Sequence, residues 1–153
     1  MKILVVEDSR TQAESLRHIL EKKGYMVMLA TDGKDAMEQI ASGRPDLVLT
    51  DIVMPEMDGY ELCRRIKTDK TLRSVPVIMV TQLFDPIDVI RGLEAGADNF
   101  IIKPYEPEDI DSRIQNVIAT RNSSDPGESG SAFEITLADG KHTITSTRRQ
   151  FTM

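Results

Sequence analysis

Five polar residues stand at the ends of short apolar runs. Glu7 and Asp8 come after residues 3–6, Asp51 after 47–49, Thr81 after 77–80, and Lys103 after 100–102. If these runs are strands of one parallel sheet, all five side chains gather at its carboxyl rim. Three carboxylates brought together there repel one another unless a cation sits among them. The donor set is all oxygen, with no thiolate or imidazole nearby in sequence, which suits magnesium rather than zinc. A hydroxyl and an ammonium at the same rim can bind phosphoryl oxygens, Lys103 acting as a point charge. Lys103 also precedes Pro104, and an X-Pro bond adopts the cis form at a cost of only about 0.5–1 kcal/mol.

The elements that must position these residues are legible as alternating patterns. The five apolar runs fall at 3–6, 26–29, 47–49, 77–80 and 100–102. Several are unbroken and rich in Val and Ile, as in strands covered on both faces. Helical patterns lie between them. The first opens on Ser9 with Gln12 three residues later, a capping-box spacing, and carries Ala13, Leu16 and Leu20 on one face before Gly24. The second holds Ala36, Met37, Ile40 and Ala41 and stops at Gly43; the third follows Asp58-Gly59 with Leu62 and Ile66. The fourth opens on Asp85-Pro86 and runs through Val89, Leu93 and Ala97. The fifth follows Pro107, with Ile110, Ile114, Val117 and Ile118 at helical spacing. Five strand–helix alternations by about residue 120 predict an α/β fold of βαβ units with right-handed crossovers. In a flavodoxin-like doubly wound (βα)5 sheet of order 2-1-3-4-5, the first and third strands are neighbours, so Glu7 and Asp8 meet Asp51.

These motifs resemble the receiver domain of two-component response regulators. The resemblance covers residues 1 to about 120 and rests on Glu7-Asp8, on Asp51 within LVLTDIVMPEMDGYEL, on Thr81 in VIMVT and on Lys103-Pro104 in FIIKP. Intervals of 43, 30 and 22 residues from Asp8 to Asp51 to Thr81 to Lys103 also fit the family. The resemblance implies that Asp51 is the phosphoacceptor. It implies magnesium held by Asp8, Asp51 and the backbone carbonyl of Val53, with Glu7 acting mainly through water. Thr81 and Lys103 would hold the phosphoryl oxygens. Thr81 and Phe100 would form the switch, Phe100 standing where the family often has tyrosine. The output surface would be the fourth helix, fifth strand and fifth helix, which could also support a homodimer. The implied partner is a histidine kinase or phosphotransfer protein. Two positions depart from the common pattern: Gln82 follows the switch hydroxyl where a small residue is usual, and Val53 offers no side chain to position a hydrolytic water.

Composition bounds the remaining possibilities. Up to residue 120 there are 15 basic and 21 acidic side chains, which accounts for the whole net charge of -6. No basic stripe offsets repulsion from phosphates, so direct nucleic-acid binding by this segment is not expected. The single cysteine, Cys63, forms no intrachain disulfide and reads as core. Acids appear by residue 7, too early for a signal peptide, and no apolar run is long enough to span a membrane, so a cytoplasmic chain is expected. His18 reads as a surface residue of the first helix, and Asp32, Asp58 and Asp98 as turn or cap residues.

Composition changes after residue 121, which divides the chain into a receiver-like domain at 1–121, a linker at 122–132 and a tail at 133–153. The linker is rich in Ser, Gly and Pro. The tail alternates, turns at residues 138–141, and alternates again, a hairpin signal. A lone hairpin is marginal in water, so the tail is expected to begin a further module. It resembles segments that join receivers to sensory or histidine-kinase modules. Three alternatives stand beside this reading. One is a stand-alone receiver. Another is a degenerate receiver that only binds partners, against which all five site residues count. The third is a magnesium-dependent phosphatase with an aspartyl nucleophile, which would place its nucleophile on the first strand and need an inserted cap that this length lacks.

Overall fold

A computed structural model describes residues 1–82, 85–123, 130–137 and 140–147, with side chains as far as residue 120. Five strands, β1 (Lys2–Val6), β2 (Met26–Ala30), β3 (Leu47–Asp51), β4 (Val77–Thr81) and β5 (Asn99–Ile102), form one parallel sheet in the order β2-β1-β3-β4-β5. Helices α1 (Arg10–Lys22), α2 (Gly33–Ser42), α3 (Gly59–Thr68), α4 (Pro86–Ala95) and α5 (Pro107–Ser123) connect and follow them. This is the doubly wound flavodoxin-like architecture expected from the alternation.

Strand periodicity divides the core into two layers. Ile3 and Val5 face one side with Leu16 and Leu20 of α1 and Ile110, Ile114 and Val117 of α5. Leu4 and Val6 face the other with Ile40 of α2, Leu62 and Ile66 of α3, and Leu93 of α4. Alternate residues of one strand serve opposite faces, so an unbroken apolar run is what a twice-covered strand requires. β2 departs from that expectation: it is a sheet edge, Met26 is exposed, and only Ala30 is fully buried.

Local capping explains where the helices start. Asp32, Asp58 and Asp85 accept backbone N–H bonds from Asp35, Glu61 and Ile87, with Pro86 just inside α4. Asp98 does something other than the turn chemistry expected of it. Its carboxylate accepts from the Val77 N–H at 2.8 Å and from Lys67 Nζ at 2.7 Å, tying α3 to the start of β4. Lys67 also donates to the Val75 carbonyl, so this half-buried pair is well partnered. Cys63 is core, and burial pushes its thiol up to about 12, leaving it a neutral packing atom at pH 7. His18 is exposed on α1.

Beyond the sheet, α5 continues to Ser123, and two antiparallel strands follow, β6 (Gly130–Leu137) and β7 (Gly140–Thr147), pairing Phe133 with Ile144 and Ile135 with His142. The helix therefore enters the stretch read as linker, and β6 begins three residues before the expected tail. Residues 124–129, the turn at Ala138 and Asp139, and residues 148–153 lie outside the described residues, and no side chain is described beyond residue 120. Among the described residues no helix is long and apolar enough to cross a membrane.

Gly92 marks a tight point in the packing of α4 on β5. A Cβ there would lie 2.5 Å from Phe100 Cζ and 2.7 Å from Cε1. Alanine ordinarily stabilises a helix interior relative to glycine by about 1 kcal/mol. Here overpacking outweighs it, and Gly92→Ala is expected to destabilise by about 1–3 kcal/mol. Urea unfolding should show a lower midpoint at unchanged slope, whereas a raised midpoint would mean that the ring has room.

Candidate functional site

The strand register assembles the site. Val6 pairs with Thr50, Asp51 with Val80, and Thr81 with Ile102, so the carboxyl ends of β1, β3, β4 and β5 share one rim. Glu7 and Asp8 follow β1, Asp51 and Thr81 end β3 and β4, and Lys103 follows β5. One carboxylate oxygen from each of Glu7, Asp8 and Asp51 lies within 4.8 Å of the others. Glu7 is buried, Asp51 half-buried and Asp8 exposed, so the cluster opens to solvent on the Asp8 side.

Backbone groups hold Asp51 in place. Its Oδ1 accepts from the Ile52 N–H at 2.9 Å, and the Thr50 hydroxyl donates to its carbonyl oxygen at 2.9 Å. The loop after β3 returns so closely that the Gly59 N–H donates to the Ile52 carbonyl at 2.8 Å. A Cβ at Gly59 would collide with the Asp51 carbonyl oxygen and lie 2.9 Å from Ile52 Cα, so this approach requires glycine. Val53 lies in that loop and is 68% exposed.

Lys103 reaches the acids from the end of β5. Its ammonium donates to Glu7 Oε2 at 3.2 Å and to Gln12 Oε1 at 2.6 Å, and stands 3.7 Å from Asp51 Oδ2. The Lys103 N–H donates to the Thr81 carbonyl at 2.8 Å, and the Lys103–Pro104 bond is cis. Thr81 is buried. Phe100 is 1% exposed, its ring edge turned toward Gly92 of α4.

Gln12 is the residue that sequence reasoning misplaced. Half of the expected capping box forms, Gln12 N–H donating to Ser9 Oγ at 3.4 Å. The return bond does not: Ser9 N–H donates to Glu7 Oε1 at 3.1 Å, and the Gln12 amide oxygen takes the Lys103 ammonium. A charge-assisted bond outcompetes one from a neutral N–H. Gln12 and Lys103 are 91 residues apart, and no local spacing reveals their contact.

The fit to a hard divalent cation can be judged from charge. Three carboxylates and one ammonium leave the cluster with a net charge of about -2 when all are ionised, the charge that one divalent ion neutralises. Glu7 shows the strain of its place. Burial holds its carboxyl above the ordinary value of 4.5 and the Asp51 charge adds to this, while the Ser9 N–H and Lys103 oppose it. Oxygen donors at the open rim, with His18 away on the exposed face of α1 and Cys63 in the core, match magnesium or a similar ion.

The family comparison agrees. The response regulator receiver domain model matches residues 3–115. The chain belongs to the receiver domain family. Among solved structures, the receiver domain of a signal transduction histidine kinase from Syntrophus aciditrophicus is similar at 44% identity and TM-score 0.74, covering 90% of this chain and 98% of that one. The chemotaxis response regulator CheY4 of Vibrio cholerae is similar at 30% identity and TM-score 0.73, covering 76% of this chain and 97% of that one. The DNA-binding response regulator MtrA of Mycobacterium tuberculosis strain H37Rv is 34% identical over 152 residues, 99% of this chain. The receiver chain spans about 65% of the length of that curated relative.

The raised Glu7 carboxyl gives this receiver a pH signature. The folded state keeps a proton on Glu7 that the unfolded state releases earlier, so it binds more protons within the window. Metal-free stability should therefore fall as pH rises from the ordinary glutamate value of 4.5 through the higher folded value. Magnesium at about 100 times its dissociation constant should raise stability at neutral pH by about 2.7 kcal/mol. Thermal melts across pH, with magnesium and with EDTA, check both. A metal-free midpoint that climbs steadily through this window, or one indifferent to magnesium, would contradict the account.

Proposed function

We propose that this receiver is a phosphoacceptor switch and that Asp51 takes the phosphoryl group from a phosphohistidine of a histidine kinase or phosphotransfer protein. The carrying observation is the Glu7–Asp8–Asp51 carboxylate cluster, with the Lys103 ammonium 3.7 Å from Asp51 Oδ2. An Asp51 carboxylate oxygen forms the new O–P bond as the donor's N–P bond breaks, and the leaving imidazole keeps the electron pair and takes a proton. Asp8, Asp51 and the Val53 carbonyl would hold magnesium, with Glu7 adding negative charge beside it. Bound there, magnesium offsets charge on the phosphoryl oxygens. Lys103 and the Thr81 hydroxyl then hold two of those oxygens, which gives Thr81 a reason to move when Asp51 is modified.

Phe100 and Thr81 form the proposed switch. The Phe100 ring is already inside and pressed toward α4, so the change is read as α4 and β5 repacking around it, not as a large swing of an exposed ring. The face of α4, β5 and α5 is then the output surface and a candidate homodimer contact. The protein is read as cytoplasmic, and residues 1–120 as making no direct nucleic-acid contact, given their acidity.

We further read the chain as the receiver of a longer protein, a hybrid sensor histidine kinase. Residues 1–121 are about four-fifths of the chain, so a match covering 90% of it includes part of the tail. That match, at 44% identity, is to a histidine kinase's receiver domain. The MtrA match also runs through the tail, at 34%, and favours a DNA-binding regulator as the second reading.

Incubation with magnesium and acetyl phosphate, followed by intact mass measurement, tests the phosphoacceptor reading. One phosphoryl group should be gained, and none by Asp51→Asn or with EDTA. The apolar, exposed Val53 cannot orient a water at the acyl phosphate, so the product should persist for minutes or longer. No gain, a gain surviving Asp51→Asn, or a lifetime of seconds would count against these statements.

A further inference from the structure

Lys103 is held by more than the acids. Its ammonium has three protons to donate and no capacity to accept. One goes to Glu7 Oε2 at 3.2 Å and one to Gln12 Oε1 at 2.6 Å, the shorter of the two bonds. The remaining neighbour, Asp51 Oδ2 at 3.7 Å, is within ion-pair reach but beyond a hydrogen bond. A lysine placed freely beside two carboxylates would be expected to close on both at about 2.7–2.9 Å. This one closes on an uncharged amide instead, supplied by α1 from 91 residues away in sequence.

We propose that Gln12 is a positioning residue for Lys103. Together with Glu7 it holds the ammonium off Asp51, leaving the attacking oxygen uncommitted while keeping the positive charge where a phosphoryl oxygen will arrive. The inference rests on the phosphoacceptor reading of Asp51. The choice of glutamine has a physical reason. The acceptor must be long enough to reach across the rim from the first turn of α1, and it must add no further negative charge to a site that already holds three carboxylates. A neutral amide does both. It also leaves the ammonium at full charge for the phosphoryl group, where a further carboxylate partner would screen it. Without that acceptor, the next oxygen within reach of the ammonium after Glu7 Oε2 is Asp51 Oδ2. A direct ion pair there would occupy the nucleophile before the donor arrives.

Gln12→Leu keeps the size and the backbone N–H that caps α1 but removes the acceptor. Gln12→Glu keeps the length and an acceptor oxygen. Two measurements separate a positioning role from a packing role. The first is the rate of phosphorylation by acetyl phosphate with magnesium at fixed ionic strength. Gln12→Leu should lower it about 3- to 10-fold, the equivalent of one modest hydrogen bond, and Gln12→Glu, which keeps an acceptor but adds a fourth carboxylate that screens the ammonium, should lower it as well. The second is the Lys103 side-chain methylene NMR signal in metal-free protein, assigned by its loss in Lys103→Met. It should keep its dispersed position in Gln12→Glu and move in Gln12→Leu, with the unfolding midpoints of both variants close to the parent's.

Parent-like rates and signals in Gln12→Leu would overturn the proposal. So would an equal displacement of the Lys103 signal in both variants, which would indicate helix packing. If the parent chain takes up no phosphoryl group, the phosphoacceptor reading falls, and the Lys103 signals still decide whether Gln12 holds the lysine.

Discussion

Mutual repulsion of three carboxylates at one rim of a parallel sheet is the constraint on which the rest of this structure depends. Glu7 and Asp51 lie close and largely out of water, and at an effective dielectric constant of about 20 their repulsion is roughly 3 kcal/mol. The fold does not relieve this by spreading the acids apart. It buries Glu7 and brings one ammonium to the cluster, leaving a deficit of positive charge. A cluster short of positive charge favours the approach of a cation, the basis of the magnesium proposal. The raised Glu7 carboxyl is the local expression of that deficit, with burial as its main cause.

Topology makes the cluster possible. The strand order puts β1 beside β3, and its reversal there brings the residues after β1 against the end of β3. The same register carries Thr81 and Lys103 to the rim from β4 and β5, linked by the Lys103 N–H to Thr81 carbonyl bond. The two core layers fix the sheet from both sides, so rim residues gain rigid footings while their side chains stay partly in water. α4, the helix that carries the proposed output, packs on Phe100 through the gap at Gly92.

Much of this was legible from sequence because its causes are local or periodic. Val- and Ile-rich runs mark twice-covered strands, aspartates and Pro86 mark helix starts, and acids after strands mark a rim. What stayed hidden depends on contacts between distant segments. Asp98 reads as a turn residue, yet its carboxylate anchors β4 through the Val77 N–H and pairs with Lys67, 31 residues away. Gln12 reads as half of a capping box, and only the fold shows Lys103 taking its amide oxygen. The exposure of β2 follows from its place at the sheet edge, which an apolar run does not disclose. Propensity likewise did not show that α5 runs on to Ser123, past the first Ser- and Asn-rich residues.

The central claim is that the carboxylate of Asp51, and no other side chain, carries the phosphoryl group. An acyl phosphate is reduced by borohydride to an alcohol, which converts a phosphorylated aspartate into homoserine and leaves a free carboxylate untouched. Treating the magnesium- and acetyl-phosphate-loaded receiver with borohydride and mapping its peptides by mass therefore reads the modified position directly. The account predicts homoserine at position 51 alone. Homoserine at Asp8 or elsewhere, or an unmodified Asp51 in protein that has gained a phosphoryl group, would contradict it.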